Sequence, residues 1–138
     1  MIKQSFCFPN FRQAGQPLQP LFEAARAIGY PAVELWHRDA NDARFVDVVA
    51  AARAAGLVIS SMCGHQALKD GLNKRANHTR IAAELRESIN LAADLGIPGL
   101  ICFSGDVNPG QTDADAREAC AEGLRLVAPL AEARGVSL

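Results

Sequence analysis

The chain has 138 residues, with 14 Lys and Arg against 15 Asp and Glu and a formal net charge of −1; 49% of residues are hydrophobic and 21% charged. That length suffices for one domain, residues 1–138, with a real core, but falls short of the roughly 250 residues of a closed eight-unit barrel. The balanced charge excludes the basic excess by which nucleic-acid binders meet phosphates, and no apolar run reaches the roughly 18–20 residues of a membrane span.

In chain order, residues 2–8 form the first expected strand, and Leu18, Leu21, Phe22, Ala25 and Ile28 then fall at helical spacing. Residues 33–36 read as strand two. Phe45, Val48, Val49 and Ala52 give the second helix its inward face, and residues 57–63 are strand three. A polar loop over residues 64–74 precedes a helix with Ile81, Leu85, Ile89, Ala92 and Leu95 on its apolar side, and residues 100–103 are strand four. After a turn-rich stretch, Thr112 caps a helix carrying Ala116, Ala119, Leu124, Val127 and Leu130, which Pro129 kinks or divides. Residues 136–138 begin a fifth strand.

Gly29, Gly56, Gly96 and Gly135 each close a helical pattern just before an apolar run, the position where a helix exit favours the left-handed conformation. Four such crossings define a βαβ repeat and a parallel sheet with right-handed crossovers. Length favours an open five-strand sheet of flavodoxin type, but the phosphate-binding first turn of that class is not evident in residues 8–13. The start of the chain lacks the basic segment, apolar stretch and cleavage site of a secretory signal, so a cytoplasmic location is expected. Cys7, Cys63, Cys102 and Cys120 show no C-x-x-C spacing, so reduced thiols are expected rather than a zinc site or disulfides.

Ligands of parallel α/β folds sit at the carboxyl ends of the strands, which directs attention to residues 8–12, 34–38, 63–75 and 103–108. Glu34 lies within an apolar strand, on the same side as Ala32 and Trp36 by period-two alternation. A carboxylate there is costly unless hydrogen-bonded, so Glu34 is either a pocket acid or a buried group held by a polar neighbour. His65 follows strand three directly after Gly64, a position suited to substrate contact. As a metal ligand it is less apt, because His37 and His78 lack a ligand spacing with it. Lys69, Lys74 and Arg75 make the same loop a candidate clamp for an anionic group, the alternative being an ordinary solvated loop.

The opening Ile2-Lys3-Gln4-Ser5-Phe6-Cys7, the run from Gly64-His65-Gln66-Ala67-Leu68-Lys69-Asp70-Gly71-Leu72-Asn73 to Lys74-Arg75-Ala76-Asn77-His78, and Leu100-Ile101-Cys102-Phe103-Ser104-Gly105 together resemble the hydroxypyruvate isomerase family. That family lies within the sugar phosphate isomerase/epimerase superfamily. The resemblance implies an α/β fold, a (β/α)8 TIM barrel of the xylose isomerase-like type, of which this chain covers the first four βα units and the start of strand five. It further implies isomerisation of hydroxypyruvate to tartronate semialdehyde through an enediol, a reaction that needs two positioned carboxylates. In similar enzymes those Glu residues follow strand five and lie on strand eight, and a divalent metal (Mg2+ or Mn2+), where present, is held by the second half. All of these would lie beyond Leu138, so no catalytic or metal-binding residue is expected within this chain, and the chain alone is expected to be inactive.

What the resemblance carries over is a substrate-binding wall: His65 with Lys69 and Arg75 of its loop, together with Glu34 and Ser104. The implied partner is a small hydroxy-keto acid or sugar, with neither nucleic acid nor membrane. A lone half barrel would leave parallel edges unpaired, so a homo-oligomer is expected. Two other readings compete: a non-catalytic sugar-binding barrel, and a metal-dependent endonuclease acting at abasic sites, which the near-neutral charge and the absence of an early His array oppose.

Overall fold

A computed structural model describes residues 3–36 and 44–138. Ile2 and His37, and with them residues 37–38 at the end of the second strand, lie outside the described residues. The chain forms two compact units, Met1–Met62 and Cys63–Leu138.

In the first unit, β1 (Ser5–Cys7) leads into a 3-10 turn at Phe8–Asn10, then α1 (Leu18–Ile28), β2 (Ala32–Leu35) and α2 (Phe45–Ala54); β3 (Val58–Cys63) contains the boundary between the units. The opening strand is shorter than expected because Pro9, which has no N–H to donate, lies in the tight turn that replaces its end. β1 and β2 pair in parallel with Ser5 opposite Ala32 and Cys7 opposite Glu34. β2 and β3 are also parallel, with Val33 opposite Ile59 but Glu34 opposite Ser61. Ser60 is the extra residue of this irregularity, and its hydroxyl donates to the Val33 carbonyl at 3.2 Å.

The core of this unit is aromatic and β-branched. Phe8 stacks on Phe22 with centroids 5.2 Å apart, and Val33, Leu35, Val48 and Ala52 are buried. Ile28, expected on the inward face of α1, is instead 77% exposed. Phe22 and Ala25 supply the helix's buried face, and Ile28, in its last turn, lies beyond that stripe.

The second unit contains a 3-10 turn at Arg75–Asn77 and then α3 (His78–Asp94), β4 (Leu100–Ile101), α4 (Asp113–Arg125) and α5 (Ala128–Arg134). Gly64, just past β3, donates its N–H to the Ile101 carbonyl at 2.9 Å, so β4 lies beside β3. The strand order is therefore β1-β2-β3-β4, as a barrel requires and unlike the 2-1-3-4 order of the flavodoxin type. Beyond β4, Gly99 and Ser137 form a parallel bridge, with Leu100 N–H on the Ser137 carbonyl at 2.9 Å. Where the sequence leads to a fifth strand, the described residues form this one isolated bridge.

All four recurrent glycines follow a helix end with positive φ, from +61° at Gly96 to +107° at Gly29. Thr112 caps α4 by accepting from Asp115 N–H at 3.1 Å. The last helical stretch divides in two, and Pro129 sits in the first turn of α5, where its missing N–H costs nothing. Ile81, Leu85, Ile89 and Ala92 of α3 are fully buried, as their spacing required. No helix among the described residues is long and apolar enough to cross a membrane.

α4 approaches α3 closely at Gly123. A Cβ there would lie 2.7 Å from Leu72 Cδ2 and 3.1 Å from the His78 ring, which is itself held by the Leu72 carbonyl at 2.9 Å. Gly to Ala within a helix ordinarily adds about 1 kcal/mol of stability, whereas overpacking costs about 1–3 kcal/mol. Leu72 is buried with little room to move, so the steric cost prevails. Gly123→Ala is expected to destabilise the chain by about 1–2 kcal/mol in urea unfolding; a gain would show that Leu72 yields and that the close approach is incidental.

Candidate functional site

In the first unit, the carboxyl end of β2 presents Glu34. The burial of β2 alternates, with Val33 and Leu35 inward and Ala32 and Glu34 half-buried, so Glu34 lies on the less covered face, as period-two alternation predicts. Ser5 of β1 donates its hydroxyl to Glu34 Oε1 at 2.5 Å. The parallel register makes this possible: Cys7 is opposite Glu34, and Ser5, two residues back, lies on the same face. Burial, reinforced by the Glu34 carboxylate, pushes the Cys7 thiol above its ordinary value, while a backbone hydrogen bond at Asn10 opposes the shift. Cys7 is therefore a neutral thiol near pH 7, unsuited to thiolate chemistry.

In the second unit, His65 is fully buried, and its Nε2 accepts the Phe103 N–H at 2.9 Å. Phe103 also meets the imidazole edge-on, with centroids 5.4 Å apart. His65 thus holds the start of the loop that follows β4.

That loop and the one after β3 meet backbone to backbone. Leu72 N–H bonds the Phe103 carbonyl at 3.1 Å, Asn73 N–H the Ser104 carbonyl at 2.8 Å, and Asp106 N–H the Lys69 carbonyl at 2.8 Å. A Cβ on Gly71 would lie 2.5 Å from Gly105 N and from Phe103 O, and one on Gly105 would lie 2.4 Å from Gly71 N. Only two glycines allow this approach. Asn73, 2% exposed, adds an Nδ2 bond to the Asp106 carbonyl at 2.7 Å, and Gln111 Nε2 donates to the Asn73 carbonyl at 2.7 Å.

The charged residues of this region are partnered within the unit. Lys74 Nζ bonds Asp70 Oδ1 at 3.0 Å. Arg75 bridges α4, with NH1 on Asp115 at 2.7 Å and Nε on Glu122 at 2.6 Å. The Arg75 fork is thus committed to two carboxylates of its own chain. The hydrogen bond from Arg75, then one from Gln111, lowers the Asp115 carboxyl, and Arg75 likewise lowers Glu122. Lys69 is exposed. Ser104 is also exposed, its hydroxyl reaching only the Gly105 carbonyl at 3.5 Å, and with Asn73 and Gly105 it lines a cleft of about 380 Å3 bordered by Ala116, Arg117 and Cys120 of α4.

Among the described residues no three His, Cys, Asp or Glu side chains converge, so they offer a divalent ion no donor set.

A parallel βα repeat in sequential strand order, with polar groups gathered in the loops after the strands, defines an α/β barrel of the kind whose sites lie at the carboxyl ends of its strands. The chain belongs to the xylose isomerase-like TIM barrel family, which matches residues 22–138. Among solved structures, a sugar phosphate isomerase/epimerase from Parabacteroides distasonis ATCC 8503 superposes with a TM-score of 0.72 at 18% identity, covering 97% of this chain and 49% of that one. An L-ribulose 3-epimerase gives 0.71 at 21% identity, with 99% and 48% covered. D-psicose 3-epimerase from Clostridium cellulolyticum H10, solved with D-tagatose, gives 0.69 at 16% identity, with 98% and 50% covered. The chain spans about half the length of these structures. No curated protein matches it in sequence.

Reading the sequence alone missed Ser5, Asn73 and Gln111. Each acts through a partner distant in the chain, 29 residues away for Ser5 and 38 for Asn73 with Gln111, and no local pattern marks such a pairing. Gly71 and Gly105 were visible as glycines, but not as partners.

Two titrations follow. Arg75→Ala should raise the midpoints of both Asp115 and Glu122 toward ordinary carboxylate values in an NMR titration, an effect that weakens with added salt because the groups are exposed. Unmoved midpoints would show that the bridge is not formed in solution. Burial pushes the Cys102 thiol to about 11 from an ordinary 9.0. A raised thiol contributes stability that is complete below its unfolded value and lost as pH rises through its folded value, so the window is about 9 to 11. Alkylation of Cys102 by iodoacetamide should accordingly reach half its limiting rate near pH 11, and a midpoint near 9 would show the thiol to be solvated.

Proposed function

We propose that the protein carrying this chain is a sugar or keto-acid isomerase or epimerase that works by proton transfer next to a carbonyl. The observation that carries the reading is the match of the xylose isomerase-like family over residues 22–138, on a chain whose four parallel strands follow the sequential barrel order. The isomerase and epimerase names of the solved neighbours support the same class.

The finer reading is hydroxypyruvate isomerisation. A base takes a proton from C3, the electrons form an enediolate across C2 and C3, the proton of the C3 hydroxyl passes to the C2 oxygen, and a proton returns to C2 as C3 becomes the aldehyde. Each proton transfer by a positioned group is worth roughly a hundredfold to ten-thousandfold. Among the described strands Glu34 is the only carboxylate, and we assign it to a substrate hydroxyl; within the second unit we assign the Ser104 hydroxyl to a substrate carbonyl or hydroxyl and the exposed Lys69 to a substrate carboxylate. In the second unit, His65 and Arg75 shape the surroundings of Ser104 through the bonds they make to Phe103 and to α4. We place the acid–base pair, and any Mg2+ or Mn2+ donors, in segments equivalent to the half of the solved barrels that this chain does not cover. A second reading, epimerisation at C3 of a ketose, is favoured by the epimerases among the solved structures.

The test is to incubate the native-length protein in D2O with hydroxypyruvate, and separately with D-fructose and L-ribulose, with and without added Mg2+ or Mn2+. Tartronate semialdehyde formation is expected. Deuterium at C3 of a recovered ketose would select the epimerase instead, and thermal stabilisation by these compounds without turnover or exchange would leave a binding protein. Glu34→Gln, whose amide oxygen can still accept from Ser5, should lower kcat/KM about ten- to a hundredfold if a charged hydrogen bond to substrate is lost. An unchanged kcat/KM would remove Glu34 from the site.

A further inference from the structure

We propose that Asn73 is a positioning residue that locks the loop after β4 and thereby presents Ser104 to substrate. The inference rests on the assignment of Ser104 to substrate contact and adds to it the device that fixes the hydroxyl. Ser104 is exposed and makes only a marginal bond of its own, so its place is set by its backbone. Asn73 holds that backbone at Ser104 itself and two residues further on. Its main-chain N–H holds the Ser104 carbonyl at 2.8 Å, and its Nδ2 holds the Asp106 carbonyl at 2.7 Å.

Other contacts make the lock directional. His65 fixes the residue before Ser104, with Nε2 accepting Phe103 N–H, and the Gly71 to Gly105 contact forbids the backbones to slide past one another, since either Cβ would meet main-chain atoms at about 2.5 Å. Gln111 closes the circuit from the far end of the loop. Its Nε2 donates to the Asn73 carbonyl, and its Oε1 accepts from Asn73 Nδ2 at 3.3 Å and from Asn108 N–H at 3.2 Å. An amide side chain is required at position 73, because a carboxylate would set an acceptor against the Asp106 carbonyl and an apolar group would leave that carbonyl without its donor.

The lock is tested first without any substrate, by amide hydrogen exchange on the native-length protein. Asn73→Ala and Asn73→Asp should each speed exchange at Asp106 about tenfold while Ile89 and Ala92 within α3 keep their protection, and the milder Gln111→Ala should act in the same direction should the first two fold poorly. Unchanged exchange at Asp106 in all three would overturn the lock. The link to Ser104 is read from a double-mutant cycle on kcat/KM. Asn73→Ala should lower kcat/KM about tenfold in the parent and have little effect in a Ser104→Ala background. Losses that simply multiply would mean that Asn73 supports the fold and nothing more. A parent protein without turnover would bring down the functional reading and, with it, the link to substrate, and the exchange measurement tells that failure from a failure of the lock.

Discussion

The backbone contact between Gly71 and Gly105 is the constraint on which the second unit depends. Parallel strands deliver their loops to the same end of the sheet, but nothing in that arrangement requires adjacent loops to touch. Here three main-chain hydrogen bonds join them, and at positions 71 and 105 the two backbones come nearer than a Cβ would permit. The seam turns two loops of polar composition into one ordered surface. Asn73 is buried because the seam covers it, and its side-chain nitrogen then finds acceptors in the Asp106 carbonyl and Gln111 Oε1.

Charge in this unit is arranged by the same logic. The loop after β3 carries Lys69, Asp70, Lys74 and Arg75, which in isolation read as an anion clamp. The fold spends the Arg75 fork on Asp115 and Glu122 of α4, so the guanidinium ties the turn before α3 to the next helix. Exposed pairs of this kind contribute little stability in water, and their effect here is to fix geometry.

In the first unit the corresponding constraint is the parallel register of β1 and β2. It puts Ser5 within hydrogen-bonding distance of Glu34, and the carboxylate gains a defined orientation at the end of its strand without a basic partner among the described contacts. A carboxylate held this way keeps acceptor capacity on a half-buried face, which is what contact with a polyhydroxy or hydroxy-keto compound requires. Of the two alternatives for Glu34, the structure shows a group held by a polar neighbour, Ser5.

The sequence by itself determined the repeat. Glycines after helix ends, apolar spacing in α2 and α3, the Thr112 cap and the break before Pro129 are local signals, because each depends on backbone conformation or periodicity within one or two turns. The repeat alone suited a barrel and an open sheet alike, and the sequential strand order was what the family resemblance implied. Only the tertiary structure decided which polar groups meet. Ser5 with Glu34, Arg75 with Asp115 and Glu122, His65 with the Phe103 amide and Gly71 with Gly105 join residues 29 to 47 positions apart. Their pairing is set by strand register and loop approach, to which a single sequence gives no local clue. The same holds for Ile28, whose helical spacing promised burial and whose place at the end of α1 left it in solvent.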